Sequence, residues 1–268
     1  MRSSQPGRVV SDEHILLSRS GPVAHVTLNR PDRLNALTGA MRDRLTALFG
    51  ELGRGDEVRT VVLGASGRGF CASGDASNMG RFTAVSARDR LRSAHRMITA
   101  IANIEKPVIA AVRGPVAGIG WSMALACDLV VASETAVFSQ VFRNVGLVPD
   151  GGSIYFLAQV LGVMRAKELV YTGRKMLADE AMALGLVTKL VADDRLEPEA
   201  HALADELAAG PGFALGVAKK MFKSMNTPSL EACLDAEGWA QGLALLTEDH
   251  SEGVAAFKEK RRPAFRAR

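Results

Sequence analysis

The amino-acid sequence predicts an α/β fold with a C-terminal helical region, and two observations support this prediction. Apolar β-type segments alternate with helix-type periodicity over the first two-thirds of the chain. From about Leu196 onward, the apolar residues recur at helical spacing and the β-type segments fade. We therefore predict an α/β core over residues 1–205 and a helical region over residues 206–268.

The core begins with a predicted strand and a predicted helix. Residues 23–29 alternate between two faces, as in a strand, and Pro31 ends this segment. Thr38 is a suitable N-cap for a helix that Gly53 and Gly55 can end. The apolar positions of that helix are spaced three or four residues apart, at Met41, Leu45, Leu48 and Leu52.

The same alternation continues through the middle of the chain. Residues 60–63, 108–112, 129–132 and 186–191 predict buried strands. A second helix is expected from about Ser86 to Lys106, with a buried stripe formed by Leu91, Ala94, Ile98 and Ile101.

Beyond Leu196 we predict a succession of helices. The first has a stripe of Ala200, Leu203, Ala204 and Leu207, and the second has a stripe of Val217, Met221 and Met225. Two further helices are expected over residues 229–246 and 247–261.

Composition narrows the class of protein. The chain has 268 residues, of which 47% are hydrophobic and 23% charged, which is typical of a globular protein. Three separated cysteines without a C-x-x-C pair favour a reducing, cytoplasmic setting. Met1 to Arg8 is polar and no apolar segment long enough for a signal peptide or a membrane span follows it, so we expect neither.

Charge and histidine spacing exclude further classes. Lys and Arg exceed Asp and Glu by 33 − 29 = 4, an excess that suits either a phosphorylated ligand or an ordinary basic surface. The basic residues are scattered and only 5% of residues are aromatic, so we expect no nucleic-acid partner. The five histidines show no metal-ligand spacing, so no bound metal is expected.

Three glycine-containing segments are the candidate functional motifs: residues 70–75 (FCASGD), 114–122 (GPVAGIGWS) and 146–152 (GLVPDGG). The first two follow apolar β-type segments, a position from which backbone N–H groups can point at a developing negative charge. The third places Asp150 beside two glycines. Other enzyme classes lack their motifs here, because the chain has no third dinucleotide-site glycine, no G-x-S-x-G and no G-K-[ST].

These three segments, in this order, resemble those of the crotonase or enoyl-CoA hydratase/isomerase superfamily. The resemblance begins at residues 26–37 (VTLNRPDRLNAL) and ends at residues 252–263 (EGVAAFKEKRRP). It implies a spiral of ββα units followed by C-terminal helices, in a homotrimer or a dimer of trimers. It also implies a coenzyme A thioester as substrate, with no permanently bound cofactor. The backbone N–H groups of Gly74 and Ile119 match the positions that hold the thioester oxygen.

The resemblance also assigns residues to the coenzyme A body. Arg33 and Ala36 match the segment along the adenine and pantetheine, and Arg33 is otherwise an ordinary exposed loop residue. Phe257 and Lys260 match positions that close over coenzyme A, often from a neighbouring subunit, or they belong to an amphipathic terminal helix. The remaining assigned contacts are Ala72, Gly74, Asp75 and Ile119, and we expect Asp75 mainly to fix its loop.

The acidic residues decide which reaction the sequence predicts. Hydratases of the family use two glutamates to activate water, and their positions fall on Ser122 and Phe142, which we place in the substrate pocket. Ser122 alternatively satisfies local backbone, and Phe142 packs in the core. Asp150 matches the catalytic acid of certain isomerases of the family, although it is also suited to cap a helix from Ser153.

We therefore predict an enoyl-CoA isomerase in which Asp150 moves the proton between two carbons. Two alternatives stay open: an enoyl-CoA hydratase with an atypical acid and base, and a catalytically silent coenzyme A-binding member of the family. In relatives, an aspartate at this position also acts as the nucleophile of aryl-CoA dehalogenases or assists isomerases of ring-opened aromatic CoA intermediates.

Overall fold

The computed structural model describes residues 10–12, 14–75, 82–224 and 229–267, which form a mixed α/β structure. Met1 to Arg8 and Met225 lie outside the described residues. The strands are β1 (Val10–Asp12), β2 (Ile15–Ser20), β3 (Val23–Leu28), β4 (Thr60–Ala65), β5 (Val108–Val112), β6 (Pro115–Ala117), β7 (Leu129–Ser133), β8 (Val137–Ser139), β9 (Lys175–Leu177) and β10 (Lys189–Val191). The helices are α1 (Gly39–Arg54), α2 (Ala84–Asn103), α3 (Ile119–Leu125), α4 (Ser153–Thr172), α5 (Ala178–Ala183), α6 (Leu196–Ala208), α7 (Gly212–Ser224), α8 (Leu230–Ala244) and α9 (Glu248–Glu259).

The larger sheet of the described residues has the strand order β1-β2-β3-β4-β5-β7-β10. The pairs β1–β2 and β2–β3 are antiparallel, whereas the pairs β3–β4, β4–β5, β5–β7 and β7–β10 are parallel. In the parallel part, Val26 is opposite Leu63 and Leu63 is opposite Ala110. The carboxyl ends of β3, β4 and β5 therefore lie at one edge of the sheet, and the loops that follow them meet there.

A smaller sheet with the order β6-β8-β9 lies next to that edge. Isolated bridges join Cys71 to Val116 and Leu37 to Gly74, so the loops after β3 and β4 are paired with each other and with β6. Backbone pairing therefore brings the first two glycine-containing segments together.

The core occupies both faces of the larger sheet. On one face, α1 buries Met41, Leu45, Leu48 and Leu52, as the spacing predicts, and the Thr38 hydroxyl accepts a hydrogen bond from the Met41 N–H at 3.2 Å. On the other face, Ala200, Ala204 and Ala208 of α6 pack against β-strand residues such as Val62 and Ile109. The mixed α/β class and the C-terminal helices agree with the prediction.

Two predicted boundaries and one predicted buried position differ from the structure. The helix expected from Ser86 begins at Ala84, because Thr83 is the N-cap and Ser86 completes a capping box with it. Leu91 is 41% exposed rather than part of the buried stripe. The strand expected over 186–191 includes only Lys189–Val191, while Leu186 and Val187 are buried in the turn before it.

The C-terminal helices begin close to their predicted positions. Ser229 and Thr247 are N-caps, and their hydroxyls accept hydrogen bonds from Ala232 and His250 N–H groups. The boundary predicted between residues 205 and 206 falls within α6, whose buried face packs on the sheet.

Asn35 organises the loop between β3 and α1. It is fully buried with a φ of +56°, its Oδ1 accepts from the Arg30 N–H at 2.7 Å, and its Nδ2 donates to the carbonyls of Ser66 and Gly69. One side chain thus joins the loops after β3 and β4.

We expect Asn35→Ala to lower the free energy of unfolding by about 3 kcal/mol, because it removes three hydrogen bonds and leaves buried backbone groups unpaired. Urea unfolding followed by circular dichroism measures the change. The matched control is Asn144→Ala, at an exposed position, where a change of about 0.5 kcal/mol or less is expected. Equal stability of the two variants would contradict this role of Asn35.

Candidate active site

The three glycine-containing segments meet around one cavity of about 410 Å³. Gly74, Ile119 and Asp150 each contribute to its lining, so the structure brings together the three predicted catalytic residues. The remaining wall comes mainly from α2 and from the segment after β8, and it is largely apolar. A cavity with few polar groups in an apolar wall is typical of a small-molecule site.

Gly74 follows a residue in an unusual conformation. Ser73 has a φ of +104°, which is uncommon for a residue with a side chain, and its carbonyl accepts a hydrogen bond from the Leu37 N–H at 2.9 Å. In a trans peptide the N–H points opposite to the preceding carbonyl. The Gly74 N–H therefore points away from Leu37, and the residue itself lines the cavity.

Ile119 is the first residue of α3, so its N–H has no partner within the helix. The carbonyl of Gly118 accepts from the Ser122 N–H at 3.1 Å, which directs the Ile119 N–H out of the helix. Gly118 has a φ of +52°, and a Cβ there would collide with the Ser73 side chain. Only glycine fits this close approach of the two segments.

Asp150 does not cap a helix. The N-cap of α4 is Gly152, without a side-chain hydrogen bond, and the contribution of Asp150 to the helix start is its backbone carbonyl, which accepts from Ser153. Its Oδ1 is buried and has no hydrogen-bond partner among the described residues. The carboxyl group is therefore available to a ligand in the cavity.

Burial raises the pKa of the Asp150 carboxyl above its ordinary value. Electrostatic interaction with Arg90, with Arg42 and with the nearby His95 opposes that rise. A carboxyl group with a raised pKa is a stronger base than an exposed aspartate and still ionises.

Ser122 and Phe142 have different positions. Phe142 is 5% exposed and lines the cavity, as expected of a pocket residue. Ser122 is fully buried and lies outside the lining, which differs from the predicted pocket position. Its hydroxyl donates to the carbonyl of Asp150 at 2.9 Å and lies 2.5 Å from the Ser153 hydroxyl. Ser122 therefore supports the backbone of Asp150 rather than the ligand.

The residues assigned to coenzyme A lie in the loops after β3 and β4. Arg33 is exposed and its Nε is 4.0 Å from an Asp32 oxygen, while the Ala36 N–H donates to the Arg33 carbonyl. The Ala72 N–H donates to the Leu34 carbonyl at 2.9 Å. Asp75 forms a 2.5 Å ion pair with Arg30, which fixes its loop. Apart from Gly74 and Ile119, none of the assigned residues lines the cavity in the described part of the chain.

Phe257 and Lys260 lie at the end of α9. Phe257 is 86% exposed, and Lys260 is the C-cap of the helix with a φ of +54°. Neither residue lines the cavity of its own chain.

Sequence reasoning missed two cavity residues, Arg42 and Arg90. Arg42 is three residues before Leu45 in α1, and Arg90 is four residues before Ala94 in α2, so each extends the buried stripe of its helix. The signal in the sequence is a charged residue at a position where helical spacing predicts a buried apolar residue.

The comparisons with known proteins show the family of the chain. The family model for enoyl-CoA hydratase/isomerase matches residues 18–268. The chain is similar to the 1,2-epoxyphenylacetyl-CoA isomerase of Escherichia coli K12, with 37% identity over 257 residues that cover 94% of this chain and 98% of that protein. It is 32% identical to the short-chain-enoyl-CoA hydratase of Clostridium acetobutylicum, over 93% of this chain and 96% of that protein.

Solved structures show the same relationship. The crystal structure of an enoyl-CoA hydratase from Polaromonas sp. JS666 has a TM-score of 0.91 and 33% identity, covering 94% of this chain and 99% of the other. The protein is therefore an enzyme with the crotonase fold. It belongs to the enoyl-CoA hydratase/isomerase family, which implies coenzyme A thioesters as substrates.

The described residues contain neither a candidate membrane span nor a candidate metal cluster. No helix among them is both long and apolar enough to cross a membrane. In the same ranges, no group of three or more histidine, cysteine or acidic residues is arranged to hold a metal ion.

The raised pKa of Asp150 predicts a pH-dependent effect on stability. Between the ordinary carboxyl pKa of about 3.9 and the higher folded-state pKa, the folded protein holds a proton that the unfolded chain has lost. Stability therefore falls as the pH rises through this interval, because the buried carboxylate is penalised. Asn has no such penalty, so we expect Asp150→Asn to gain stability relative to wild type from pH 4 to pH 7.5.

Urea unfolding at both pH values measures this difference. The control is Asp194→Asn, at an exposed position, for which we expect no comparable gain. If Asp150→Asn gained no more than this control, burial would not disfavour the Asp150 carboxylate.

Proposed function

We propose that the protein is an acyl-CoA isomerase that moves a carbon–carbon double bond, with Asp150 as the acid and base. One observation carries the proposal. Asp150 is the sole carboxylate among the described residues that line the cavity, and its Oδ1 is unpartnered there. The same cavity is lined by Gly74 and Ile119, whose N–H groups are directed as the preceding section describes.

The reaction follows from these groups. The thioester oxygen of a 3-enoyl-CoA accepts hydrogen bonds from the Gly74 and Ile119 N–H groups. The Asp150 carboxylate removes a proton from C2, and the electron pair of that C–H bond moves to give an enolate on the thioester oxygen. The thioester carbonyl then re-forms, the C1–C2 double bond of the enolate becomes the C2–C3 double bond, and the electron pair of the C3–C4 double bond takes the proton back from Asp150 at C4. No other reactant is consumed.

The environment of Asp150 suits a base that must also act as an acid. Burial favours the protonated carboxyl, and electrostatic interaction with Arg90, with Arg42 and with the nearby His95 favours the ionised form. Because the two influences oppose each other, neither protonation state is strongly excluded. One carboxyl group can then give and take the same proton.

By the resemblance, hydratases of the family hold a water between two glutamate carboxylates. The positions that the resemblance assigns to those glutamates are Ser122 and Phe142. Ser122 is bonded to the Asp150 carbonyl, and Phe142 is an apolar wall residue. This supports isomerisation over hydration. A hydratase with an atypical acid is the second candidate, favoured by the similarity to the hydratase of Clostridium acetobutylicum.

The quaternary structure belongs to the same proposal. Several large apolar side chains of α8 are exposed, among them Trp239 at 77% and Leu243 at 55%. A second copy of the chain would cover these side chains in a homotrimer or in a dimer of trimers. In that assembly Phe257 and Lys260 would reach the coenzyme A of a neighbouring subunit, while Arg33 and Ala36 contact it within the chain.

We expect Asp150→Asn to lower kcat for 3-enoyl-CoA isomerisation by about 100-fold to 10,000-fold, because an amide cannot take the C2 proton. The rise of 2-enoyl thioester absorbance measures the rate, and titration calorimetry with a saturated acyl-CoA measures binding. Binding is expected to persist, since the amide has nearly the shape of the carboxyl group.

The control Asp194→Asn should have wild-type kcat, because Asp194 is exposed in the turn before α6. Isomerisation that survives in Asp150→Asn would exclude the proposed proton transfer. Rapid hydration of 2-enoyl-CoA by the wild type, without isomerisation, would establish the second candidate instead.

A further inference from the structure

Two guanidinium groups line the cavity, although its wall is otherwise largely apolar. Arg42 comes from α1 and is 5% exposed, and Arg90 comes from α2 and is half-buried. Among the described residues, no carboxylate oxygen lies within 4.0 Å of either guanidinium. The acids nearest in sequence contact other arginines: Asp43 contacts Arg96 at 3.7 Å, and Asp89 contacts Arg92 at 3.8 Å.

The two groups have few polar contacts. The Nε of Arg42 is 3.5 Å from the Ser93 hydroxyl, which is a long hydrogen bond. The Cζ of Arg90 lies 5.6 Å from the centre of the Phe82 ring. Its Nη2 is so close to Gly74 that a Cβ there would be 2.8 Å away. Most guanidinium N–H groups at the cavity therefore have no acceptor in the described chain.

A charge count shows that the proposed reaction does not neutralise this pair. Of the charged groups that line the cavity, two guanidinium groups and an ionised Asp150 sum to 2 − 1 = +1. Asp43, which accepts a hydrogen bond from the Ser93 hydroxyl that Arg42 contacts, does not line the cavity. When Asp150 takes the C2 proton it becomes neutral, but the enolate then carries the negative charge, so the total is unchanged. A buried cation without a direct ion-pair partner is costly, and a bound neutral acyl chain would shield it further from solvent.

We propose that the acyl group of the substrate carries a carboxylate, which Arg42 and Arg90 bind together. The substrate class is thus a coenzyme A thioester of an unsaturated dicarboxylic acid, and this inference rests on the isomerase function proposed above. Guanidinium groups suit this role because their planar N–H forks match the two oxygens of a carboxylate. The added negative charge brings the cavity total to zero throughout the reaction.

The apolar part of the wall fits the carbon chain between the two ends of such an acyl group. Leu91, Phe142 and Val145 lie along the cavity with Arg90. The cavity thus offers apolar side chains to a short carbon chain and two guanidinium groups to its terminal carboxylate, with the Arg90 Nη2 close to Gly74.

The test compares two inert ligands that differ only at the end of the acyl chain. Both are coenzyme A thioethers of equal chain length, one ending in a carboxylate and the other in a methyl group. Titration calorimetry measures their dissociation constants for the full-length wild type, for Arg42→Met and Arg90→Met, and for the control Arg88→Met at an exposed position on α2.

We expect the wild type to bind the carboxylate ligand at least about tenfold more tightly than the methyl ligand. Each methionine variant at Arg42 or Arg90 should lose most of that preference, because it removes a donor while keeping an unbranched side chain. Arg88→Met should keep the preference. Arg42→Lys should keep part of it, since the charge remains without the planar fork.

Three outcomes would overturn the inference. The first is an absent or reversed preference in the wild type. The second is an equal weakening of both ligands and of free coenzyme A in the variants, which would assign the arginines to the coenzyme A phosphates. The third is an unchanged preference with a lower kcat for every 3-enoyl substrate, which would assign Arg90 to the enolate near Gly74.

Because both ligands are inert, the result does not depend on isomerase activity. A wild type that prefers the carboxylate ligand but isomerises neither a neutral nor a carboxylate-bearing 3-enoyl-CoA would refute the proposed reaction alone. Isomerisation of both substrates with equal kcat/KM, together with no binding preference, would refute the carboxylate site alone.

Discussion

Backbone hydrogen bonds between consecutive loops hold the site in place. The Cys71 N–H donates to the Pro115 carbonyl, and the Ala117 N–H donates to the Cys71 carbonyl, so parallel pairing continues past the ends of β4 and β5. Leu37 adds a third loop through the Ser73 carbonyl. These bonds involve no ligand. The Gly74 and Ile119 N–H groups are therefore fixed before binding, as the proposed reaction requires of groups that would stabilise a developing negative charge.

The electrostatics of the cavity depend on the same loops. The loops and the helices α1 and α2 together place one carboxyl group and two guanidinium groups in a largely apolar wall, where charges interact more strongly than at an exposed surface. Burial pushes Asp150 toward its neutral form and the arginines push it toward its ionised form. The pKa of Asp150 thus depends on the whole cavity. The arginines of α1 and α2 influence it, as does the burial of the segment that contains Asp150.

The sequence predicts what depends on neighbouring residues along the chain. The cap at Thr38, the stripe of α1 and the strands β3, β5 and β7 follow from local pattern, and the motifs identify Gly74, Ile119 and Asp150. Tertiary contacts decide the remaining features. Leu91 is exposed because it faces a cavity. The Ser122 hydroxyl donates its hydrogen bond to the carbonyl of Asp150, 28 residues away, and not to a ligand. The sequence places Arg42 and Arg90 on the buried stripes of two separate helices, and only the packing of α1 beside α2 brings both residues to one cavity.

The contact between Ser122 and Gly151 constrains how such an enzyme can change its reaction. Gly151 has a φ of +62°, and a Cβ there would lie 2.8 Å from the Ser122 Cβ, so the two segments are packed as closely as small residues permit. A longer side chain at position 122 would displace the segment that holds Asp150. If a glutamate replaced Ser122 during evolution, it would thus displace Asp150, the proposed base of isomerisation. This loss would occur before a second glutamate could complete the pair that hydratases use. The order of substitutions between these two reactions is therefore restricted by packing.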